Sequence, residues 1–467
     1  MSSATDESNR FYLAAWRWHF YAGLLVVPFL VVLAATGMVM LLSGPADAFS
    51  HREWLHVIPR GTALSPEEQL RRVRDAYPHG TVAMYLPPRA ADRSAQVSIV
   101  PGHGGGAHAE HGAATLTVYV DPYTGAVLGA RDPLRTPYAW AARVHGTLLL
   151  GTAGDLLIEV VAGFGVLLIA TGLFLWWPRG DGGAVLWPRV RGRRRIGWRD
   201  LHAALGFWGS GVLAFFLLSG LAWTPVWGGK LVQGFSSLPP AQIQSPPANP
   251  THASLNRGVL REVPWVLEQT PMPSSGSLAG LRGIPAGMPV RLNSVVAFAR
   301  DNGFTGYRVN FPAGSAGVWT LAAATMSGDI TDPRRDRMLH LDQYTGRVLA
   351  DHRFATYPLL GKAMAAGIAL HQGNAGILNL VANLLVCLGV IALCASGVAM
   401  WWLRRPAGVR RLAAPPLPRD VRVWRRAAVV MFTASLAFPL VALTLATVAL
   451  IDLAVVSRVP ALRAALK

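Results

Sequence analysis

The sequence predicts an α-helical integral membrane protein, built as a tandem repeat of span, small α+β outer domain and span, with an additional fifth transmembrane helix. Three observations predict it. Apolar residues make up 52% of the 467 and charged residues only 15%, a balance that excludes an ordinary soluble globular chain and a disordered one. The apolar residues condense into five runs, roughly 19 to 43, 146 to 177, 201 to 227, 367 to 402 and 427 to 453. Each is long enough to cross about 30 Å of hydrocarbon at about 1.5 Å per residue. Finally, several chemically distinct features recur in the same order along two halves of the chain.

Charge sets the expected topology. Lys plus Arg total 43 against 25 Asp plus Glu, a net +18 that in a soluble chain would suggest a nucleic-acid partner. Here much of it sits in two short connectors. One carries Arg179, Arg189, Arg191, Arg193, Arg194, Arg195 and Arg199; the other carries Arg404, Arg405, Arg410, Arg411, Arg419, Arg422, Arg425 and Arg426. Both are expected inside. The organisation is then a cytoplasmic tail 1–17, span 18–43, outer domain 44–140, span 141–177, cytoplasmic loop 178–200 and span 201–227. A second outer domain 228–360, span 361–402, loop 403–426, fifth span 427–453 and tail 454–467 follow. Arg17-Trp18 leads into about 25 mostly apolar residues with no small-residue cleavage pattern, so the first run reads as a retained span. Arg458, Arg463 and Lys467 in the outward tail run mildly against the positive-inside bias. Cys387 and Cys394, both in the fourth span, cannot staple the outer domains and read as small hydrophobes.

The repeat orders the elements. In the first half Trp16-Arg17-Trp18-His19 opens a span, Thr36-Gly37 follows, Asp121-Pro122-Tyr123-Thr124-Gly125 closes the outer segment, His145-Gly146 leads the next span, and Thr171-Gly172 precedes Trp176-Trp177. In the second half Trp198-Arg199-Asp200-Leu201-His202, Ser219-Gly220, Asp342-Gln343-Tyr344-Thr345-Gly346, His371, Ser396-Gly397 and Trp401-Trp402 take the same places. Within the outer segments, Ser65-Pro66-Glu67-Glu68 is a capped helix start running through Tyr77, and alternating stretches at 81 to 86, 95 to 100 and 115 to 120 read as strands. The second copy places a helix near 292 to 302 and strands near 306 to 310, 317 to 323 and 338 to 342. Segments 101 to 114 and 235 to 250 read as loops.

Four of the thirteen histidines occupy matched positions of the repeat. Topology places His19 and His202 at the inner face and His145 and His371 at the outer face, one pair per side. Paired neutral imidazoles on packed spans can hold haem iron from both faces, and two such haems would give an electron path across the bilayer. Interfacial histidines beside Trp and Arg anchors are the bland alternative, and a metal-only site lacks partner ligands. Gly23, Gly37, Gly172, Gly206, Gly220 and Gly397 would admit a flat macrocycle or simply a neighbouring helix. Asp155 and Glu159, four apart in the second span, either handle protons or bond to Asn379 or Asn383. The Trp pairs beside arginine read as an aromatic belt, and His103, His108 and His111 as part of a solvated loop. No nucleotide-binding glycine motif occurs, so an inner electron donor would be quinol or a separate cytoplasmic reductase.

Val118-Tyr119-Val120-Asp121-Pro122-Tyr123-Thr124-Gly125-Ala126-Val127-Leu128 and Leu339-His340-Leu341-Asp342-Gln343-Tyr344-Thr345-Gly346-Arg347-Val348-Leu349, set between such spans, resemble the PepSY-associated transmembrane family of bacteria from about residue 15 to 405. The resemblance implies PepSY-like periplasmic domains, an inner-membrane location and, for members described as iron-regulated membrane proteins or ferric-siderophore reductases, two b-type haems in a four-helix core. His19 with His202 and His145 with His371 would then be the axial ligands. A ferric siderophore or related ferric chelate in the periplasm would be the electron acceptor, with Tyr138, Trp140, Arg143 and Arg353 as candidate contacts. The fifth span departs from plain four-span members. Two other classes stay open: a haem-free scaffold that binds peptides or regulates a peptidase, and, with less support, a transporter.

Overall fold

The computed structural model describes residues 2–102, 115–178, 185–189, 194–238, 244–256, 260–405, 412, 414–415, 421–456 and 458–459. His103, His108 and His111 lie outside them, as do Arg179, Arg191, Arg193, Arg410, Arg411, Arg419, Arg463 and Lys467. In chain order the helices are α1 (Ser2–Ser50), α2 (Arg52–Leu55), α3 (Pro66–Ala76), α4 (Pro137–Thr147), α5 (Thr152–Trp176), α6 (Arg194–Leu221), α7 (Leu292–Asp301), α8 (Leu359–Gln372), α9 (Ile377–Arg404), α10 (Val421–Ser435) and α11 (Pro439–Ile451). The strands are β1 (Thr81–Leu86), β2 (Ala95–Val100), β3 (Leu116–Val120), β4 (Val127–Arg131), β5 (Pro247–Thr251), β6 (Pro271–Pro273), β7 (Arg308–Asn310), β8 (Val318–Ala323), β9 (Arg337–Asp342) and β10 (Val348–Arg353). The chain divides into two compact units. One comprises Met1–Met38, Arg143–Gln233 and Ala382–Lys467; the other Val39–Ala142 and Gly234–Val381.

Among the described residues of the chain, four helical stretches are long and apolar enough to cross a membrane: Phe11–Ser50, Thr152–Trp176, Arg195–Leu221 and Ile377–Arg404. The chain is accordingly a multi-pass membrane protein. Three expected spans differ in detail. The run 141–177 is not one helix, because α4 stops at Thr147 and Leu148 and Leu149 take positive φ values of 50° and 61° before α5 begins. The run 361–402 breaks likewise between α8 and α9, where Gly373 adopts the left-handed conformation at φ 75°, one that costs glycine little. The run 427–453 forms α10 and α11 in place of a single fifth span. Pro439 at the start of α11 has no N–H to give and disfavours helical backbone before it. In the first unit, Val26 and Leu30 of α1, Val161, Phe164 and Leu167 of α5, Leu217 and Leu221 of α6 and Val441 of α11 share one apolar core.

In the second unit both outer stretches build one antiparallel sheet of eight strands, ordered β10-β9-β8-β7-β1-β2-β3-β4. Each copy supplies four strands, and the halves join where β1 pairs β7 in the register Met84 to Asn310 and Tyr85 to Val309. The helix α3 starts as its cap demands, with the Ser65 hydroxyl accepting from the Glu68 N–H at 3.2 Å and Pro66 in its first turn. Leu70 and Val73 of α3 and Leu292 and Val295 of α7 pack with Val97, Val118, Leu321, Leu339 and Leu341 in a single core. The recurrent turn has a clear cause. The Asp121 carboxylate accepts from the N–H of Tyr123 at 2.8 Å, the Asp342 carboxylate from those of Tyr344 and Thr345 at 2.8 Å each, and Gly125 and Gly346 take φ values of 73° and 66°, the left-handed geometry a side chain resists.

At the junction strand, the buried Arg308 guanidinium bonds Asp329 at 2.8 and 2.9 Å and pairs with Glu262 at 2.6 Å. Removing it leaves the buried Asp329 with only Arg89 at 3.3 Å and the Ser327 hydroxyl, so Arg308→Ala should destabilise the protein by about 3 kcal/mol, read as a fall in the melting temperature of the detergent-solubilised chain. A second test concerns pH. Burial pushes Asp336 up from 3.8 to about 7, opposed by the bonds from Thr325 and helped by Asp329 and Asp332. The folded chain thus keeps a proton the unfolded chain has lost, and this group's stabilising contribution, complete below 3.8, falls away as pH rises to about 7. Asp336→Asn should remove that slope, so its stability relative to wild type should rise between about pH 4 and about pH 8 by a few kcal/mol. An unchanged difference in melting temperature across that range would contradict the assignment.

Candidate functional site

Three of the four repeat histidines lie in the first unit, and each has its Nδ1 held by a hydroxyl-glycine pair on another helix. The His19 Nδ1 lies 2.9 Å from the Thr171 hydroxyl, the His145 Nδ1 3.0 Å from that of Thr36, and the His202 Nδ1 3.1 Å from both the Ser396 hydroxyl and the Leu393 carbonyl. Each hydroxyl spends its one proton on its own helix: Thr171 donates to the Leu167 carbonyl at 2.8 Å, Thr36 to that of Val32 at 2.8 Å and Ser396 to that of Leu393 at 2.8 Å. A carbonyl can only accept, and a hydroxyl whose proton is committed can only accept. These networks assign the proton of all three imidazoles to Nδ1. Each Nε2 is therefore a bare lone pair, the form that binds a metal, oriented by the bond at the other ring nitrogen.

The glycine after each hydroxyl faces the imidazole, and at Gly172 the approach is close enough to matter sterically. A Cβ on Gly172 would stand 3.2 Å from the His19 ring, one on Gly397 3.4 Å from that of His202, and one on Gly37 3.9 Å from that of His145. Gly172 leaves the room its imidazole needs, whereas Gly397 and Gly37 make ordinary contacts, Gly37 lying nearer the Cys387 sulfur at 3.6 Å. A Cβ on Gly206 would meet only Leu393 at 3.8 Å, one on Gly23 would meet nothing, and Gly220 is half-buried.

The structure brings His19 and His202 together, with ring centres 6.3 Å apart and planes at 88°. An apolar cavity of about 530 Å³ opens in the same unit, lined by Val27, Val31, Trp198, Cys394, Val398 and Trp402 among others. His145 belongs to the first unit and His371, at the end of α8, to the second. Glu159 is buried and its two oxygens accept from the backbone N–H groups of Val226 and Trp227 at 2.9 Å each, which makes it a cap for that turn; Asp155 lies in the first turn of α5. Of the expected surface residues, Tyr138 is half-buried, Trp140 and Arg143 are exposed on α4, and Arg353 is paired with Asp351 at 2.6 Å.

A second cluster went unforeseen. In the second unit, His252, His340 and His352 are fully buried, and each offers a ligand atom, all within 4.8 Å of one another. Desolvation pushes His252 down to about 3, His352 to about 4 and His340 well below the usual imidazole range, so all three are neutral near pH 7. The signal was available in the repeat. Aligning Asp121 with Asp342 sets His340 against Tyr119 and His352 against Arg131, two places where only the second copy has histidine.

The family model for the PepSY-associated TM region matches residues 16–404. The chain belongs to this PepSY-associated transmembrane family. No curated protein matches it.

The Nδ1 bonds generate a direct test. Thr171→Val keeps shape and volume but takes the hydroxyl acceptor from the half-buried His19 N–H, and should cost about 1 kcal/mol. Thr171→Ser, which restores the hydroxyl, should recover most of the lost melting temperature.

Proposed function

We propose that the chain is a di-haem transmembrane oxidoreductase of the bacterial inner membrane. It passes electrons from quinol or a separate cytoplasmic reductase to an Fe(III)-siderophore or related ferric chelate in the periplasm. The observation that carries this reading is the His19–His202 pair: two imidazoles with protonated Nδ1 and bare Nε2, ring centres 6.3 Å apart. A metal held between two such rings needs about 2 Å on each side for the bonds and about 1.1 Å from each nitrogen to its ring centre, roughly 6 Å in all. The spacing suits two imidazoles that would hold one iron between them, and the same unit contains an apolar cavity, as the faces of a porphyrin require. Haem b, when bound, supplies reversible one-electron transfer.

The chain's own residues do the rest. Thr171, Ser396 and the Leu393 carbonyl hold the ring tautomers and strengthen each imidazole as a donor, because a hydrogen-bonded Nδ1–H leaves Nε2 more basic. Gly172 lets the His19 ring approach its helix. The repeat extends the same role to His145 with His371 at the periplasmic side, where Thr36 already holds the tautomer of His145. The substrate step adds one electron to Fe(III) to give Fe(II), a softer ion that hard oxygen chelators hold less firmly. Arg143 and Trp140, both exposed, supply charge and a flat apolar face for an anionic chelate; Arg353 shares its charge with Asp351.

The test is the absorbance spectrum of detergent-purified protein, oxidised and dithionite-reduced, with haem quantified per chain. Two low-spin b-type haems are expected, falling to about one in His202→Ala. A wild-type protein free of haem, expressed with adequate haem supply, would overturn the reading in favour of a peptide-binding scaffold. Loss of both haems in folded His202→Ala would overturn the independence of the two sites.

A further inference from the structure

We propose that His252, His340 and His352 form a binding site for one divalent first-row transition metal ion of the zinc class. The ion would fasten the described stretch 244–256 onto the last two strands of the sheet. The site is separate from the membrane histidines, and the proposal does not rest on haem. His340 lies in β9 and His352 in β10, while His252 opens the short 3₁₀ turn His252–Leu255 that follows β5. Leu339 and Leu341 face the core beneath α3 and α7. By the alternation of a strand, His340 faces the opposite side of the sheet. There Met272 of β6 packs on Val318 and Leu349 with Ala248 and Leu255. Three chain segments far apart in sequence thus converge their imidazoles in an otherwise apolar layer.

The orientation is that of ligands. The His252 Nδ1 lies 2.6 Å from the Thr270 carbonyl, so that nitrogen carries the proton and Nε2 is bare. His340 pairs across the strands with Thr320, whose hydroxyl lies 2.9 Å from its Nδ1. Without a metal, the Nε2 of His340 donates to that of His252 and its Nδ1 accepts from Thr320; with a metal, the Thr320 hydroxyl can accept from Nδ1 instead and free the second Nε2 as a ligand. The two Nε2 atoms stand 2.9 Å apart, against about 3.3 Å for two nitrogens on a tetrahedral zinc ion with bonds of about 2.0 Å. Side-chain movements on the order of 1 Å suffice to close the set on one ion. Backbone carbonyl and hydroxyl partners at the second nitrogen are the usual outer support of metal-bound imidazoles. Three imidazoles suit zinc, copper, nickel or iron(II), and leave one tetrahedral position to water or a small anion. The nearest carboxylate in sequence, Asp351, is already engaged by Arg337 at 2.8 Å on both oxygens.

The first copy shows what the same positions hold without such a role. Tyr119 there lies beside the Trp54 ring at 5.8 Å, and Arg131 pairs with Asp47 at 2.9 Å. Only the second copy carries a long insertion with little regular structure among its described residues, a two-stranded ribbon and short 3₁₀ turns. A metal that ties such a segment to a sheet adds its binding free energy to folding.

The experiment is equilibrium dialysis of the full chain in detergent, stripped of loose metal, against zinc, with bound zinc quantified by elemental analysis. One saturable zinc per chain is expected. His352→Gln should weaken it at least tenfold and abolish the zinc-dependent rise in melting temperature, while leaving the metal-free melting temperature close to wild type. No saturable zinc in wild type, or equal binding by a variant with all three histidines changed to Gln, would overturn the proposal. Should those variants fail to fold, zinc-edge X-ray absorption of the wild-type complex decides: three imidazole nitrogens at about 2.0 Å support the site, and any other first shell overturns it.

Discussion

An imidazole in a lipid-embedded bundle must place its N–H on an acceptor that the protein itself supplies. The first unit answers this constraint the same way three times. A Thr or Ser on a neighbouring helix gives its proton to a carbonyl of its own helix and so presents only an acceptor to Nδ1. Beside His19 the glycine after it also makes the space. What remains is a bare Nε2 with a fixed direction. Helix packing, tautomer and ligand chemistry therefore share one cause, and a change in the dipeptide disturbs all of them together.

The second unit solves a different problem. Each copy contributes four strands, and an isolated four-stranded half would expose the edge offered by β1 or β7. Pairing β1 with β7 buries both edges and lets α3 and α7 share one apolar core. The buried Arg308 ion network then sits on that junction strand, where a misplaced register would leave charge uncompensated.

Much of this was legible in the sequence. The Asp-x-Tyr-Thr-Gly turns, the Ser65 cap, the strands and the four long apolar helices all express local rules, of turn chemistry, capping, alternation and hydropathy. Long-range pairing was harder. Thr36-Gly37 was visible as a repeat mark after His19, yet it serves His145, while His19 is served by Thr171; spacing along one helix says nothing of which partner faces it. The break at Leu148 and Leu149 carries no proline, so hydropathy ran straight through it, and the break before Pro439 was passed over because the apolar run continues on both sides. The His252, His340 and His352 cluster was hidden for another reason. Its members are spread over about a hundred residues in three segments with no fixed spacing, and they gather only once the sheet and its insertion have formed.

The crossed bonds of α1 have a mechanical consequence. His19 near one end reaches Thr171 of α5, and Thr36, seventeen residues on, reaches His145 of α4. At about 1.5 Å per residue these two rungs stand some 25 Å apart on the same rod. A slide of α1 by even one helical turn would break both at once, and a tilt would stretch them unequally. The helix thus acts as a gauge bar. It holds the interval between two depths of the bundle, and with it the distance an electron would have to cover, independently of how thick the surrounding lipid is.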